Sequence, residues 1–275
     1  MKTKIFRLLC VSLTLIAMLS VTGCTQQASA TKEDKVIKLG TMSTIEPYTT
    51  ALKDELIKKG YQVEVVMFDA NNMPATATSD GSIDGFIHNH IHWIDTFNKE
   101  NNTDLVMVKP YIFYYPMAMY SAKYKSVADL PDEATIVIPN DPSNMECSLI
   151  MLEESGLITL NPKTGEFYST LDIAENPKSI QLLPAEITTT ARSINDADAV
   201  VTSATRIRAV GIDPKSYIAE DKTSKDCPVG LTIDSKSVDE PWIKDAMTII
   251  TSDEMRAKFE EIFAGSLTQY PKTNE

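Results

Sequence analysis

The strongest constraint on the fold is the alternation of short apolar segments with helical segments along most of the chain. Residues 36–42, 62–68 and 82–88 predict strands, because each is a short run rich in apolar and β-branched side chains. Residues 48–59 repeat apolar side chains at helical spacing, and Gly60 follows as a typical helix stop. This alternation is typical of a parallel α/β sheet with helices packed on its faces.

A second α/β series follows an aromatic segment, residues 111–120, which Pro116 interrupts. Proline has no amide hydrogen for a central strand, so this segment favours a crossover or hinge. We therefore expect two α/β lobes, the first from 36–119 plus 228–275 and the second from 120–227. The other predicted elements are strands at 105–109, 135–138, 180–183, 199–202 and 229–233, a short helix from Pro74, and helices at 92–101, 126–130, 187–192, 203–210, 242–250 and 253–263.

Residues 135–155 combine a predicted strand, a polar turn and the start of a helix. Pro139 ends the strand, and the turn that follows contains Asn140 and Asn144. A strand, polar turn and helix start in this order points free backbone N–H groups at a ligand. The segment is either an ordinary βα connection or a ligand-binding loop.

The N-terminus reads as a signal segment outside the fold. Positive charges precede an apolar stretch at 8–19 that is short for a membrane span, and residues 21–24 (VTGC) resemble the lipobox of bacterial lipoproteins. The lipobox implies removal of residues 1–23, a lipid on Cys24, and attachment to the extracytoplasmic face of the cell membrane. Residues 24–35 are polar and predict a flexible tether. The alternative is a plain secretory signal with an incidental cysteine.

The composition excludes some partners and limits the covalent chemistry. The formal net charge is −12, and loss of the three positive charges in the signal segment takes the mature chain to −15. This acidity argues against nucleic acid or anionic lipid as a direct partner. Besides Cys24, only Cys147 and Cys227 remain after cleavage, either as one disulfide or as two thiols.

All three histidines of the chain fall within five residues, at His88, His90 and His92. On one strand they would share a face and form a metal site. The predicted strand ends near His88 and a helix begins near His92, so polar pocket residues are the main interpretation. A receptor for a metal or metal chelate is the alternative on the same fold.

Cys147 is a candidate nucleophile. A place in the first turn of a helix would lower the pKa of its thiol, and a histidine would be its base. No cysteine-enzyme signature surrounds it, and the chain has no P-loop, GxGxxG, HExxH or CxxC motif. We therefore expect a protein that is not an enzyme and needs no cofactor, with a thiol hydrolase as the outside alternative.

Five segments together resemble the NlpA-type methionine-binding lipoproteins, which are substrate-binding components of an ABC importer. They are the lipobox, IDGFIHNHIHWID at 83–95, YPMAMYS at 115–121, PNDPSN at 139–144 and IAENPKSIQLL at 173–183. The resemblance implies a two-lobed, type II-like periplasmic-binding-protein fold of class α/β that closes on a ligand between its lobes. It also implies a monomer that docks on a membrane permease driven by a cytoplasmic ATPase, and no chemistry on the ligand.

The resemblance also implies a ligand-binding set, and this chain departs from the family pattern within it. His90, Trp93, Tyr115 and Asn144 fall on matching positions. Cys147 stands where the family's carboxylate-binding arginine falls, Ser203 where its cleft asparagine falls, and His88 and Asn71 at two of its aromatic positions. Loss of a bidentate guanidinium and gain of polar groups suit methionine poorly. We hypothesise a small amino-acid-like ligand other than methionine, with a purely structural surface lipoprotein as a further alternative.

Overall fold

The computed structural model describes residues 35–272. The predicted signal segment, the lipidation site Cys24 and nearly all of the predicted tether lie outside the described residues. Within the described part, no helix combines the length and the apolar character needed to cross a bilayer.

The described chain alternates strands and helices from its first element onward. The strands are β1 (Val36–Met42), β2 (Gln62–Phe68), β3 (Gly85–His90), β4 (Leu105–Met107), β5 (Phe113–Tyr114), β6 (Met117–Tyr120), β7 (Thr135–Pro139), β8 (Thr159–Leu160), β9 (Ile173–Glu175), β10 (Gln181–Ala185), β11 (Ala199–Ser203), β12 (Ala219–Glu220), β13 (Val229–Asp234) and β14 (Thr268–Gln269). The helices are α1 (Glu46–Lys58), α2 (Met73–Ser79), α3 (Ile91–Asn101), α4 (Pro142–Glu154), α5 (Ala204–Ala209), α6 (Pro241–Ile250) and α7 (Asp253–Phe263).

Two sheets carry the fold, and a small β8–β9 pair lies outside them. The first sheet has the order β14-β5-β13-β3-β1-β2, with β4 beside β13. The second has the order β10-β7-β11-β6-β12. The predicted parallel pairing holds for β1 with β2 and β3, and for β7 with β10 and β11. However, β13 and β6 run antiparallel to their neighbours. Each is the first strand after the chain passes from one sheet to the other, which is not visible in the local pattern.

The chain crosses between the sheets twice. The first crossing lies between β5 and β6, at Tyr115 and Pro116, as expected for a proline that interrupts an aromatic run. The second lies between β12 and β13, at residues 221–228. The predicted lobe boundary at residue 119 cuts β6, which pairs only with strands of the second sheet among the described strands.

Helices cover both faces of each sheet. On one face of the first sheet, Tyr48 of α1 meets Phe259 of α7 edge to face, with ring centroids 5.2 Å apart. α2 and α3 bury the opposite face. In the second sheet, alternate residues of β6 separate two cores: Met119 packs toward α4, and Tyr120 toward Ile207 of α5.

Two of the predicted helices are short 3₁₀ turns instead. The segment at 126–130 contains a turn over Val127–Asp129, because it is too short to nucleate an α-helix and a proline follows it. The segment at 187–192 gives way to a 3₁₀ helix over Thr190–Asn195. There, the Oγ1 of Thr189 donates to the carbonyl of Glu186 (2.7 Å), and such local bonds compete with helix formation.

Candidate ligand-binding site

The candidate site is a cavity to which both sheets and both crossings contribute. It encloses about 540 Å³ of space not filled by atoms, part of it open to solvent. Its lining residues are Asn71, His88, Asn89, His90, Trp93, Tyr115, Met117, Asn144, Cys147, Ile187, Ser203, Arg206, Asp221, Ser224 and Cys227.

Most of the residues proposed from the sequence come together here. Eight of the nine line the cavity: Asn71, His88, His90, Trp93, Tyr115, Asn144, Cys147 and Ser203. Asn140 does not line it, because its side chain is exposed while its backbone N–H is bound to the carbonyl of Ala185 (2.9 Å). Seven further lining residues were not predicted as ligand-binding from the sequence: Asn89, Met117, Ile187, Arg206, Asp221, Ser224 and Cys227.

His88 is a buried, neutral imidazole on β3, two residues before the strand ends. Its Nε2 lies 2.9 Å from Oδ1 of Asn71, and its Nδ1 lies 3.4 Å from the hydroxyl of Tyr115. Burial, with smaller contributions from the charges of Arg206 and His90, lowers the pKa of His88 to about 3. The arrangement fits a tautomer that donates from Nε2 to Asn71 and accepts from Tyr115, whose own pKa is raised by burial.

His90 connects the first sheet to α4. As the N-cap of α3, it accepts a hydrogen bond at Nδ1 from the backbone N–H of Trp93 (3.3 Å), which leaves the proton on Nε2. That Nε2 lies 3.3 Å from Oδ1 of Asn144, whose amide in turn donates to both carboxylate oxygens of Asp141. Burial lowers the pKa of His90 to about 4, although the charge of Asp141 opposes the shift.

The three histidines do not converge. His92 is exposed and its Nε2 lies 3.1 Å from the carbonyl of Asp226, whereas the rings of His88 and His90 are each committed to other partners. Within residues 35–272, no group of three or more His, Cys, Asp or Glu side chains is placed to hold a metal ion. The change from strand to helix at His90 separates the side chains.

Arg206 is the cation that the sequence reasoning missed. It lies in the first turn of α5, three residues after Ser203, and its partly buried side chain lines the cavity. Its guanidinium makes no hydrogen bond or ion pair to any residue in the described part of the chain. Burial lowers its pKa, opposed by Tyr115 and by the carboxylates of Glu186 and Asp141, but a guanidinium stays protonated in proteins. The cavity therefore does contain an arginine, although not at position 147, where the family resemblance implies the carboxylate-binding arginine.

A second unsatisfied group lines the same cavity. Asn89, on β3 between the two buried histidines, is 4% exposed and donates through Nδ2 to the carbonyl of Asn71 (3.3 Å). Its Oδ1 is buried without a hydrogen-bond partner among the described residues. Buried amide oxygens are rarely left unpaired, so this acceptor indicates a missing donor.

The second crossing is tied to the first at the edge of the cavity. Asp221 accepts hydrogen bonds from the Oγ1 of Thr223 (2.6 Å) and the Oγ of Ser224 (3.0 Å). Ser224 also accepts from the backbone N–H of Met117 at the start of β6 (2.9 Å). Asp221 therefore lines the cavity with its carboxylate already committed to the protein.

The two cysteines are free thiols that line the cavity side by side. The hydrogen bond to Cys227, then burial, raises the pKa of Cys147, and the nearby Asp221 and Glu146 act in the same direction. The two conditions of the thiol-hydrolase alternative are not met, because Cys147 is the sixth residue of α4 and the pKa of its thiol is raised. The spacing of two residues so far apart in sequence could not show this contact.

Comparison with known proteins relates this chain to a family of lipoproteins. The family model described as NlpA lipoprotein matches residues 37–270. Outer membrane lipoprotein 1 of Mannheimia haemolytica is 33% identical over 213 residues, covering 74% of this chain and 76% of that protein. The D-methionine-binding lipoprotein MetQ of Salmonella typhimurium is 32% identical over 257 residues, covering 91% of this chain and 93% of that protein.

The fold is likewise shared with solved structures. A nutrient-binding protein from Burkholderia cenocepacia bound to methionine superposes with a TM-score of 0.80 at 27% identity, covering 86% of this chain and all of that one. The prediction of an α/β, two-lobed periplasmic-binding-protein fold is thus confirmed, as is the family resemblance. The chain belongs to the NlpA lipoprotein family.

Proposed function

We propose that this chain is the extracytoplasmic solute-binding lipoprotein of an ABC importer, held at the cell membrane by a lipid on Cys24. It binds a small amino-acid-like ligand, delivers it to a membrane permease that a cytoplasmic ATPase drives, and performs no chemistry on it. The protein acts as a monomer. Relatives named as D-methionine-binding lipoproteins support this class of function.

The observation that carries the proposal is the cavity between two sheets that the chain joins by two crossings. Two lobes joined by two short segments can open and close as rigid bodies around a ligand. We assign the first lobe to residues 36–115 and 228–272 and the second to 117–220, because β6 pairs in the second sheet. The hydrogen bond from His90 to Asn144 joins the two lobes across the cavity and belongs to the closed form.

The proposed ligand-binding residues are the eight predicted ones that line the cavity, together with Asn89 and Arg206. Neutral imidazoles at His88 and His90, with Asn71 beside them, make the wall of the first lobe polar. Trp93 supplies apolar surface to the cavity, and its ring stacks on Phe97, which does not line the cavity. Most of the lining surface is apolar. The polar side chains at Asn71 and His88, where the family resemblance implies aromatic residues, are the reason to expect a ligand with hydrogen-bonding groups rather than a thioether.

The test combines identification of the solute with titration. Mass spectrometry after gentle denaturation should find a small solute that co-purifies, and calorimetry should show that it rebinds. L-methionine and D-methionine are titrated in parallel, and micromolar binding of either would overturn the changed-ligand part of the proposal. Failure to find any solute that binds or raises the melting temperature would overturn the receptor function itself.

Two asparagines at the start of α4 provide a matched pair of variants, since Asn140 precedes the helix and Asn144 lies in its first turn. Asn144→Ala removes a cavity residue and should weaken binding, whereas Asn140→Ala changes an exposed side chain and should leave the affinity as in the parent. Circular dichroism confirms that both variants are folded. Equal affinities in the two variants would place the ligand elsewhere.

A further inference from the structure

The unpaired guanidinium of Arg206 requires a partner that the protein does not supply. The two acidic residues whose charges reach it most strongly are Glu186 and Asp141. Glu186 accepts from the backbone N–H of Thr188 (2.7 Å), and Asp141 caps α4 and holds Asn144. Neither carboxylate lies within ion-pair distance of Arg206. Withdrawing a cation from water without such a pair is costly, unless an anion enters with it.

The rest of the lining does not compete for that anion. His88 and His90 are neutral because burial lowers their pKa values to about 3 and about 4. The hydroxyl of Tyr115 also stays neutral, since burial raises its pKa. Asp221 is negative but is engaged by Thr223 and Ser224. The positive charge presented to the cavity is therefore that of Arg206.

The second orphan group defines the other end of the ligand. The Oδ1 of Asn89 is a buried acceptor on β3, and Arg206 is a cluster of donors on α5. The acceptor at Asn89 and the donors of Arg206 lie in different lobes and line one cavity. Together they match a molecule that has both a carboxylate and an N–H or O–H group. Such a molecule would satisfy both groups at once and hold the two sheets together.

We propose that Arg206 is the carboxylate-binding residue of the site, that Asn89 accepts a hydrogen bond from the same molecule, and that the ligand is a small polar carboxylate with a donor group. This rests on the proposed receptor function and assigns its ligand class. The planar guanidinium donates two parallel N–H bonds to the carboxylate oxygens. Arg206 thereby supplies from α5 the charge that position 147 lacks.

The test uses the mature chain and a defined set of probes. The twenty L-amino acids and D-methionine are screened by their effect on the melting temperature, and the best binder is titrated next to its α-carboxamide. The carboxamide lacks the negative charge, so it should bind at least tenfold more weakly. Arg206→Gln should weaken the carboxylate probe by about tenfold to 150-fold, the range for hydrogen bonds to charged groups. Arg206→Lys should recover only part of the affinity, because it cannot bind in a bidentate way.

Arg192→Gln is the matched control. Arg192 lies in the same lobe, is exposed and is outside the cavity lining, so its replacement makes the same charge change away from the ligand. It should change the affinity less than twofold. The Asn89→Leu variant should lose affinity for probes that donate from an ammonium group, because the acceptor proposed for that group is removed.

The possible results distinguish a failure of the Arg206 assignment from a failure of the proposed receptor function. Binding of a probe by the parent chain with equal affinity in Arg206→Gln, or equal binding of acid and carboxamide, would overturn the assignment and leave the receptor function standing. A co-purifying solute without a carboxylate would do the same. No shift with any probe and no co-purifying solute would overturn both. If Arg206→Gln does not fold, the comparison of acid and carboxamide in the parent chain still decides.

Discussion

Acid should destabilise this protein through its two buried histidines, and the magnitude follows from their environments. An unfolded histidine titrates near pH 6.5, whereas burial lowers the folded pKa to about 3 for His88 and about 4 for His90. Between these values and 6.5 the unfolded chain binds more protons than the folded chain. The free energy of unfolding therefore falls as the pH falls through this window.

Between pH 7.5 and pH 5.0 each histidine should remove about 2 kcal/mol from the free energy of unfolding, and the pair about 4 kcal/mol. Urea unfolding at the two pH values measures this loss. His90→Asn is the most informative variant, because asparagine can still cap α3 at the N–H of Trp93 while it no longer titrates. It should halve the loss between the two pH values, and the double variant with His88→Asn should remove most of it.

His92→Asn serves as the control, since His92 is exposed and outside the cavity lining. It should keep the pH dependence of the parent chain. Carboxylates add their own acid sensitivity below pH 5, but they are common to all variants and cancel in the difference. If the double variant loses as much stability on acidification as the parent, the imidazoles are not held neutral by the fold and the reasoning fails.

Three further predictions concern the elements around the cavity. Because the pKa of Cys147 is raised, iodoacetamide at pH 7.5 should alkylate it at least tenfold more slowly than free cysteine, and fast alkylation would revive the hydrolase alternative. Asp141→Ala should lower the free energy of unfolding in urea by about 1 kcal/mol, because it removes the N-cap of α4; an unchanged value would show that the cap does not stabilise the protein. Gly85→Ala would place a Cβ 2.8 Å from the carbonyl of Thr232, so it should cost about 1–3 kcal/mol, and an unchanged urea midpoint would contradict that close approach.

Local sequence pattern predicted most of the elements of this fold because each has a strong period of its own. The strands at 36–42 and 62–68 and the helix at 253–263 occur with those bounds. The pattern failed where a side-chain hydrogen bond competes with the hydrogen bonds of an α-helix. At Thr189 the hydroxyl donates to the backbone carbonyl of Glu186 and favours a 3₁₀ turn. It also could not give the antiparallel direction of β13, which depends on where the chain re-enters the first sheet.

The ligand-binding residues were predicted by matching single positions of this chain to the family pattern, and Arg206 was missed because it matches none of those positions. Once a helix was placed from Ser203, residue 206 fell one turn on, on the same side as a predicted ligand-binding residue, so the signal was present. The protonation states were beyond the sequence, because they depend on contacts between distant segments. Cys147 appeared activated by its helix, yet its contact with Cys227 raises the pKa of its thiol.

An arginine at position 147, which the family resemblance implies, and the arginine present at position 206 are alternative ways to place a guanidinium in the cavity. The reason lies in the sheet that precedes both helices. β7 and β11 are parallel neighbours, so α4 and α5, which follow them, both begin at the same edge of the second sheet. A guanidinium on either helix can therefore reach the one cavity. If the arginine lies on α5 instead of α4, the site still prefers a carboxylate. The ligand is then held in a different orientation, so the side chain that it can carry also differs.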